Sequence, residues 1–259
     1  MKILINNQWT SYKSAQVSVF SEALMYGFGL FETLRTNQHK HPIFHKEHIT
    51  RLFHSCQQID LPIQYTQKEV VDMVDRIAIE STHQIQRIKV LVIPDHTIVT
   101  SVPLNLDTSI YDGVHLQSTT LTRSIPEIKS TAYLDCFLSW KKASQNGYYD
   151  ALFSDANGYI SEASRSNIVW INEDSYGSRM EDVLPGITIR ILKEKLILPI
   201  KHEQITLDQL QKKSSIFLTN SIIGIVPVVS IDQLKINHGI VTQQTQNLAA
   251  QYEQLISIL

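Results

Sequence analysis

The run Asp150-Ala151-Leu152-Phe153-Ser154-Asp155-Ala156-Asn157-Gly158-Tyr159-Ile160-Ser161-Glu162, continuing through Ala163-Ser164-Arg165-Ser166 to Asn167-Ile168-Val169-Trp170, decides the architecture of the second half of this chain. Asn157-Gly158 is a dipeptide that tight hairpin turns prefer, because their central residues need positive φ, and β-prone residues flank it at 151–154 and 159–161. Residues 167–171, rich in β-branched and aromatic side chains, make a further strand. Upstream, Tyr133, Cys136, Phe137 and Trp140 share one face at helical spacing, and Gly147 supplies a stop. This predicts a helix over 130–144 that opens directly after Lys129. Downstream, a helix beginning near Gly186, strands over 216–219 and 225–229, and an amphipathic helix over 242–259 complete a β-rich half.

The first half alternates helices and strands. Ile3-Leu4-Ile5 runs into Asn6-Asn7, an opening hairpin. Ile49, Leu52, Phe53 and Cys56 recur at helical spacing within 47–58. Thr66 and Glu69 form a capping box ahead of Val70, Val71, Met73, Val74 and Ile77, which predicts a second helix. Strands over 87–92 and 98–102 flank the turn Pro94-Asp95-His96. The segment 105–125 carries one convincing strand, 114–118, so the domain junction is placed there, dividing the chain into 1–120 and 121–259.

The chain has 259 residues, 43% of them hydrophobic, enough to bury a sizeable core. Its 23 basic and 25 acidic residues give a formal charge of −2, which speaks against nucleic acid or an anionic membrane as partner and for a small molecule. Two cysteines, Cys56 and Cys136, cannot build a disulfide framework and are expected as buried free thiols. The apolar run after Met1-Lys2 breaks at Asn6, too early for a signal peptide, and no stretch approaches a membrane span. A soluble, cytoplasmic protein is expected.

Lys129 follows the extended step Ile125-Pro126, and a lysine there can hold an aldehyde as a Schiff base and shuttle protons. Lys89, in Arg87-Ile88-Lys89-Val90, competes for this role but lacks a matching partner motif. Of His45, His48 and His54, the last two are six apart on a helix and do not share a face, and no cysteine or acidic partner completes a set, so no metal site is expected. Gly27-Phe28-Gly29 lacks the third glycine of a dinucleotide fingerprint, and no Gly-x-Ser-x-Gly elbow marks a serine hydrolase.

Lys129-Ser130-Thr131-Ala132-Tyr133-Leu134, Ser161-Glu162 and Ser166-Asn167-Ile168-Val169-Trp170 together resemble the core of the fold-type IV pyridoxal phosphate enzymes, the class IV aminotransferase family. The resemblance runs in order from Tyr26 to Val228. It implies an α+β architecture with an N-terminal α/β domain, a C-terminal pseudo-barrel domain and pyridoxal 5'-phosphate between them. It also implies a homodimer whose pocket borrows a loop from the partner subunit. By the same resemblance Lys129 carries the cofactor and Glu162 holds its ring nitrogen protonated, so that the ring can act as an electron sink. Leu184-Pro185-Gly186-Ile187-Thr188 offers the phosphate the free N–H groups of Ile187 and Thr188 at a helix N-terminus. Arg51, in His48-Ile49-Thr50-Arg51-Leu52, and Ser221 complete that phosphate set. Tyr26-Gly27-Phe28-Gly29-Leu30-Phe31-Glu32-Thr33-Leu34-Arg35 is similar to the family's glycine-rich turn entering a Phe-Glu strand, with Tyr26 and Phe31 as pocket walls. Relatives often carry Asp where this chain has Phe28.

Within the family, aminotransferases usually place an acidic residue three positions before the proline of the last motif. Here that position is Gly224, and Asn220-Ser221-Ile222-Ile223-Gly224-Ile225-Val226-Pro227-Val228 is more similar to aminodeoxychorismate lyase. Pro94-Asp95-His96 also lacks the arginine-bearing segment expected of the aminotransferases. The expectation is a lyase that converts 4-amino-4-deoxychorismate to 4-aminobenzoate and pyruvate in folate biosynthesis, with Lys129 as base and Lys129 or Thr33 as proton donor. The alternative is an aminotransferase of branched-chain or D-amino acids.

Overall fold

The computed structural model describes residues 2–173 and 175–259. The chain forms two compact units. The first comprises Met1–Asn105, Ile128–Tyr133 and Ile256–Leu259, and the second Leu106–Glu127 and Leu134–Leu255.

The first unit holds a five-stranded antiparallel sheet of β1 (Lys2–Ile5), β2 (Gln8–Ser11), β3 (Leu30–Arg35), β4 (Gln86–Ile93) and β5 (His96–Pro103), ordered β2-β1-β5-β4-β3. Asn6 (φ 49) and Asn7 (φ 61) turn β1 into β2 as the dipeptide predicts. The short helix α1 (Glu22–Tyr26) leads into β3, while α2 (His45–Gln58) and α3 (Gln67–Glu80) supply the apolar cover for the sheet. Both halves of the Thr66/Glu69 capping box are made at the start of α3. Alternation along β3 buries Leu30, Glu32 and Leu34, and the core adds Ile49, Leu52, Val70, Met73, Ile77, Ile88 and Val90. Phe28 packs against this core, which accounts for an apolar residue between the two glycines.

The second unit contains β6 (Val114–Thr120), β7 (Asp150–Ser154), β8 (Ile160–Ala163), β9 (Asn167–Asn172), β10 (Ser175–Ser178), β11 (Ile200–His202), β12 (Ser215–Asn220) and β13 (Gly224–Ile231), with β14 (Leu234–Lys235) beside β13. Their order, β11-β10-β9-β12-β13-β6-β7-β8, is that of a sheet curled into a half-barrel. The Asn157-Gly158 hairpin joins β7 to β8. Four helices accompany it: α4 (Leu134–Gln145), α5 (Ile187–Glu194), α6 (Leu207–Leu210) and α7 (Gln243–Ser257). Leu116, Leu152, Ile168, Trp170, Ile216, Leu218 and Val226 centre the core.

The helix expected over 130–144 begins four residues late, at Leu134. The reason is a competing backbone partner: Phe31 N–H donates to the Lys129 carbonyl (2.9 Å) and Thr131 N–H to the Gly29 carbonyl (2.8 Å). A backbone committed to a strand cannot also make helical bonds. The predicted apolar face also differs, since Cys136 is buried but Phe137 is 47% and Leu138 50% exposed. Both cysteines are free and buried, and burial pushes the Cys56 thiol up to about 11.

Candidate active site

In the first unit, the bridge between Leu30 and Ser130 fixes Lys129 beside β3. Lys129 Nζ lies 4.8 Å from the centre of the Phe31 ring, and Lys89 Nζ lies 4.3 Å from it. Lys89 stands opposite Thr33 in the β3–β4 register. Because residues two apart on a strand share a face, Phe31 and Thr33 project on the side that carries both lysines. Burial, and secondarily Arg87, lowers the Lys89 pKa. The Thr131 hydroxyl donates to the Gly27 carbonyl (2.7 Å), with the Gly29 carbonyl at 3.2 Å, so the glycine turn is tied to the lysine segment. Gly29 leaves no room for a side chain, since a Cβ there would come within 2.9 Å of Ile93 and 3.0 Å of the Thr131 hydroxyl. Tyr133 meets Phe31 edge to face at 5.9 Å. Tyr26, at the end of α1, is 74% exposed.

On the opposite side of β3, Glu32 faces α2. Arg51 grips it bidentately, Nε and Nη2 each 2.7 Å from one carboxylate oxygen, and His48 Nδ1 lies 2.6 Å from Oε2. Burial alone would raise the Glu32 pKa, but Arg51 and then His48 outweigh it and hold the carboxyl well below the usual range. Burial lowers the His48 pKa against the pull of Glu32, and the positive charges of Arg51 and Lys129 add to the lowering. His48 is thus a neutral imidazole that donates from Nδ1, while its buried Nε2 has no partner among the described residues. Removing one member of such a buried network typically costs about 3–5 kcal/mol, because the remaining charge is left uncompensated. Arg51, expected at the phosphate, is thereby held in a fixed orientation by Glu32.

In the second unit, Glu162 is 5% exposed at the end of β8. Arg123 Nη1 donates to its Oε1 at 2.7 Å and to the Pro126 carbonyl at 3.1 Å. The Leu184 N–H (3.3 Å) and the Asn167 amide (3.5 Å) approach Oε2, and Asn167 also donates to the Leu184 carbonyl (2.8 Å). Asn167 therefore ties Glu162 to the segment that begins α5.

The start of α5 offers hydrogen-bond donors that an anion could use. Gly186 caps it without a side-chain bond, leaving first-turn N–H groups available, and packing places α5 on β12. Thr188 Oγ1 and Thr219 Oγ1 are buried without a partner among the described residues. A side chain at Gly186 would run into Asn167 Oδ1. Uncapped N–H groups beside orphaned hydroxyls and a glycine form a donor set that a phosphate satisfies. Ser221 sits in the β12–β13 turn, which Asn220 shapes by accepting from Ile222 N–H (2.9 Å) and Ile223 N–H (3.0 Å).

Three contributors escaped the sequence reading: Arg123, Thr131 and the tie made by Asn167. Arg123 and its partner are 39 residues apart in the chain, and no local periodicity or turn signal marks such a pair.

Residues 29–231 match the sequence profile of the family described as "Amino-transferase class IV". The D-alanine aminotransferase of Listeria monocytogenes is 26% identical over 263 residues, covering 92% of this chain and 90% of that protein. The crystal structure of the Escherichia coli branched-chain amino acid aminotransferase superposes with a TM-score of 0.91 at 22% identity, over 99% of this chain and 94% of that one. A Legionella pneumophila structure described as "Putative 4-amino-4-deoxychorismate lyase" superposes with a TM-score of 0.84 at 22% identity, over 94% and 96%. The chain belongs to the class IV aminotransferase family and has its fold-type IV α+β architecture. Members of this family use pyridoxal 5'-phosphate, and the donor set at α5 fits that cofactor's phosphate.

Proposed function

We propose that, within this family, the chain is a lyase that converts 4-amino-4-deoxychorismate to 4-aminobenzoate and pyruvate. The observation that carries the reading is Gly224. It has φ +65, and a Cβ there would come within 2.9 Å of Glu253 Oε1 and 3.1 Å of the Tyr252 ring. The acidic residue to which the aminotransferase resemblance points would be strained by the positive φ at this position, would crowd Tyr252, and beside Glu253 would meet a like charge. The cationic side of β3 and β4, with Lys89 beside Phe31, suits a substrate that carries two carboxylates.

In this reading Lys129 carries the cofactor, Glu162 serves its ring nitrogen, and Arg51, Ile187, Thr188 and Ser221 serve its phosphate. The bound cofactor supplies an electron sink for the carbon that loses a proton. Lys129 Nζ takes that proton from the amine-bearing ring carbon. The C–O bond to the enolpyruvyl group breaks and the ring becomes aromatic. Lys129 or Thr33 returns a proton to the methylene carbon of the departing group, so atoms balance without water or an oxidant. Phe31 and Tyr26 wall the substrate. The test is to supply purified holoprotein with 4-amino-4-deoxychorismate and follow 4-aminobenzoate. Its absence, while an amino acid converts the cofactor, would reject the lyase.

The D-alanine and branched-chain aminotransferase relatives favour a second reading, transamination of D- or branched-chain amino acids by the same lysine. It requires a change in the cofactor's visible absorption when D-alanine or valine is added without a keto acid. A homodimer is also proposed, supported by Leu134, Phe137 and Leu138, which leave one side of α4 apolar and exposed. Sedimentation should then give twice the 29.6 kDa chain mass.

A further inference from the structure

Arg123 sits in the loop after β6, with its side chain 15% exposed, and meets a Glu162 side chain that is 7% exposed. A carboxylate this buried loses most of its hydration, and without a compensating charge burial favours its neutral form. The guanidinium at 2.7 Å supplies that charge, and its second bond, to the Pro126 carbonyl, fixes its direction. The cavity beside the pair, about 380 Å³, carries further charges at Glu127, Asp155, Arg179 and Asp182. Arg179 is committed to Asp155 (3.2 Å) and Asp182 (2.7 Å), whereas Arg123 is bonded to Glu162. Leu184 N–H and the Asn167 amide lie on the other oxygen, which leaves the carboxylate clamped from both sides.

We infer that Arg123 is a positioning residue that keeps Glu162 ionised and aimed, and through it sets the protonation of the cofactor's ring nitrogen. The inference rests on the proposed role of Glu162. It has an independent readout, because the Arg123–Glu162 coupling is measurable without cofactor.

The experiment follows Glu162 by carboxyl ¹³C NMR in cofactor-free protein, with Glu162→Gln assigning the signal, for wild type, R123Q, R123M and R123K. The neutral variants should raise the Glu162 titration by about one pH unit or more, and R123K should bring it back towards wild type. In cofactor-loaded protein, R123Q should shift the pH profile of the visible band and weaken cofactor binding about tenfold, as loss of an orienting partner does elsewhere. An unmoved Glu162 titration in folded R123Q overturns the inference, as does loss of folding in both R123Q and R123M, which would make Arg123 a structural residue. A shifted Glu162 titration with an unmoved cofactor band would retain the coupling, overturn its extension to the ring nitrogen, and locate the failure in the role proposed for Glu162.

Discussion

At the scale of single residues, the densest chemistry lies in Glu32, His48 and Arg51. The motif around Arg51 is legible in the sequence, but the sequence does not say that Glu32 lies on the helix side of β3 and takes up the guanidinium. That follows from strand alternation combined with the packing of α2 on β3. The network has a pH consequence whose sign is definite. His48 titrates below its ordinary 6.5 and Glu32 below its ordinary 4.5 in the fold, so the unfolded chain binds more protons than the native one in acid. Stability should fall once the pH drops below about 6.5, through His48, and further below about 4.5, through Glu32. His48→Gln should flatten the change in urea midpoint between roughly pH 7.5 and 5.5, at the cost of a lower midpoint near neutrality. An unchanged slope would mean that His48 is not the group responsible.

At the scale of elements, local signals served well wherever the chain's own neighbours decide conformation. Asn6-Asn7 and Asn157-Gly158 turn as read, Thr66 and Glu69 cap α3, and Gly186 opens α5. The helix after Lys129 began late because Gly29 and Phe31, a hundred residues away, claim the backbone of Lys129 and Thr131. The start of α5 yields a sharp expectation. Gly186→Ala pushes a methyl group into Asn167, which links the α5 entrance to Glu162, so cofactor affinity should drop about tenfold or more, the equivalent of one lost hydrogen bond to an ion. Equilibrium dialysis measures it, and undiminished affinity would remove α5 from the phosphate site.

At the scale of the whole molecule, the chain leaves the first unit at Asn105 and returns to it for Ile128–Tyr133 before α4. That excursion brings Lys129 to β3, and Ile128, 4% exposed, enters the first core beside Leu30 and Val92. Ile128→Ala should cost about 2–5 kcal/mol through the cavity it leaves. Hydrogen exchange should quicken in β3 and β4 and stay unchanged in β12 and β13. Equal acceleration in both sheets would contradict the assignment of this segment to the first unit.

The amino-acid sequence by itself determined the family, the order of the motifs, the hairpins and the helix caps, and singled out Lys129, Glu162 and the Leu184–Thr188 run as candidates, because each is written in adjacent residues or in short spacings. Only the tertiary structure decided that Lys129 is extended and not helical, that Arg51 is gripped by Glu32, that Arg123 faces Glu162, and that a side chain at Gly224 would meet α7. Each of these depends on groups tens of residues or more apart in the chain, or on a strand's choice of face. Such pairings are set by burial and by the need to satisfy every desolvated charge and backbone group, which no local pattern encodes.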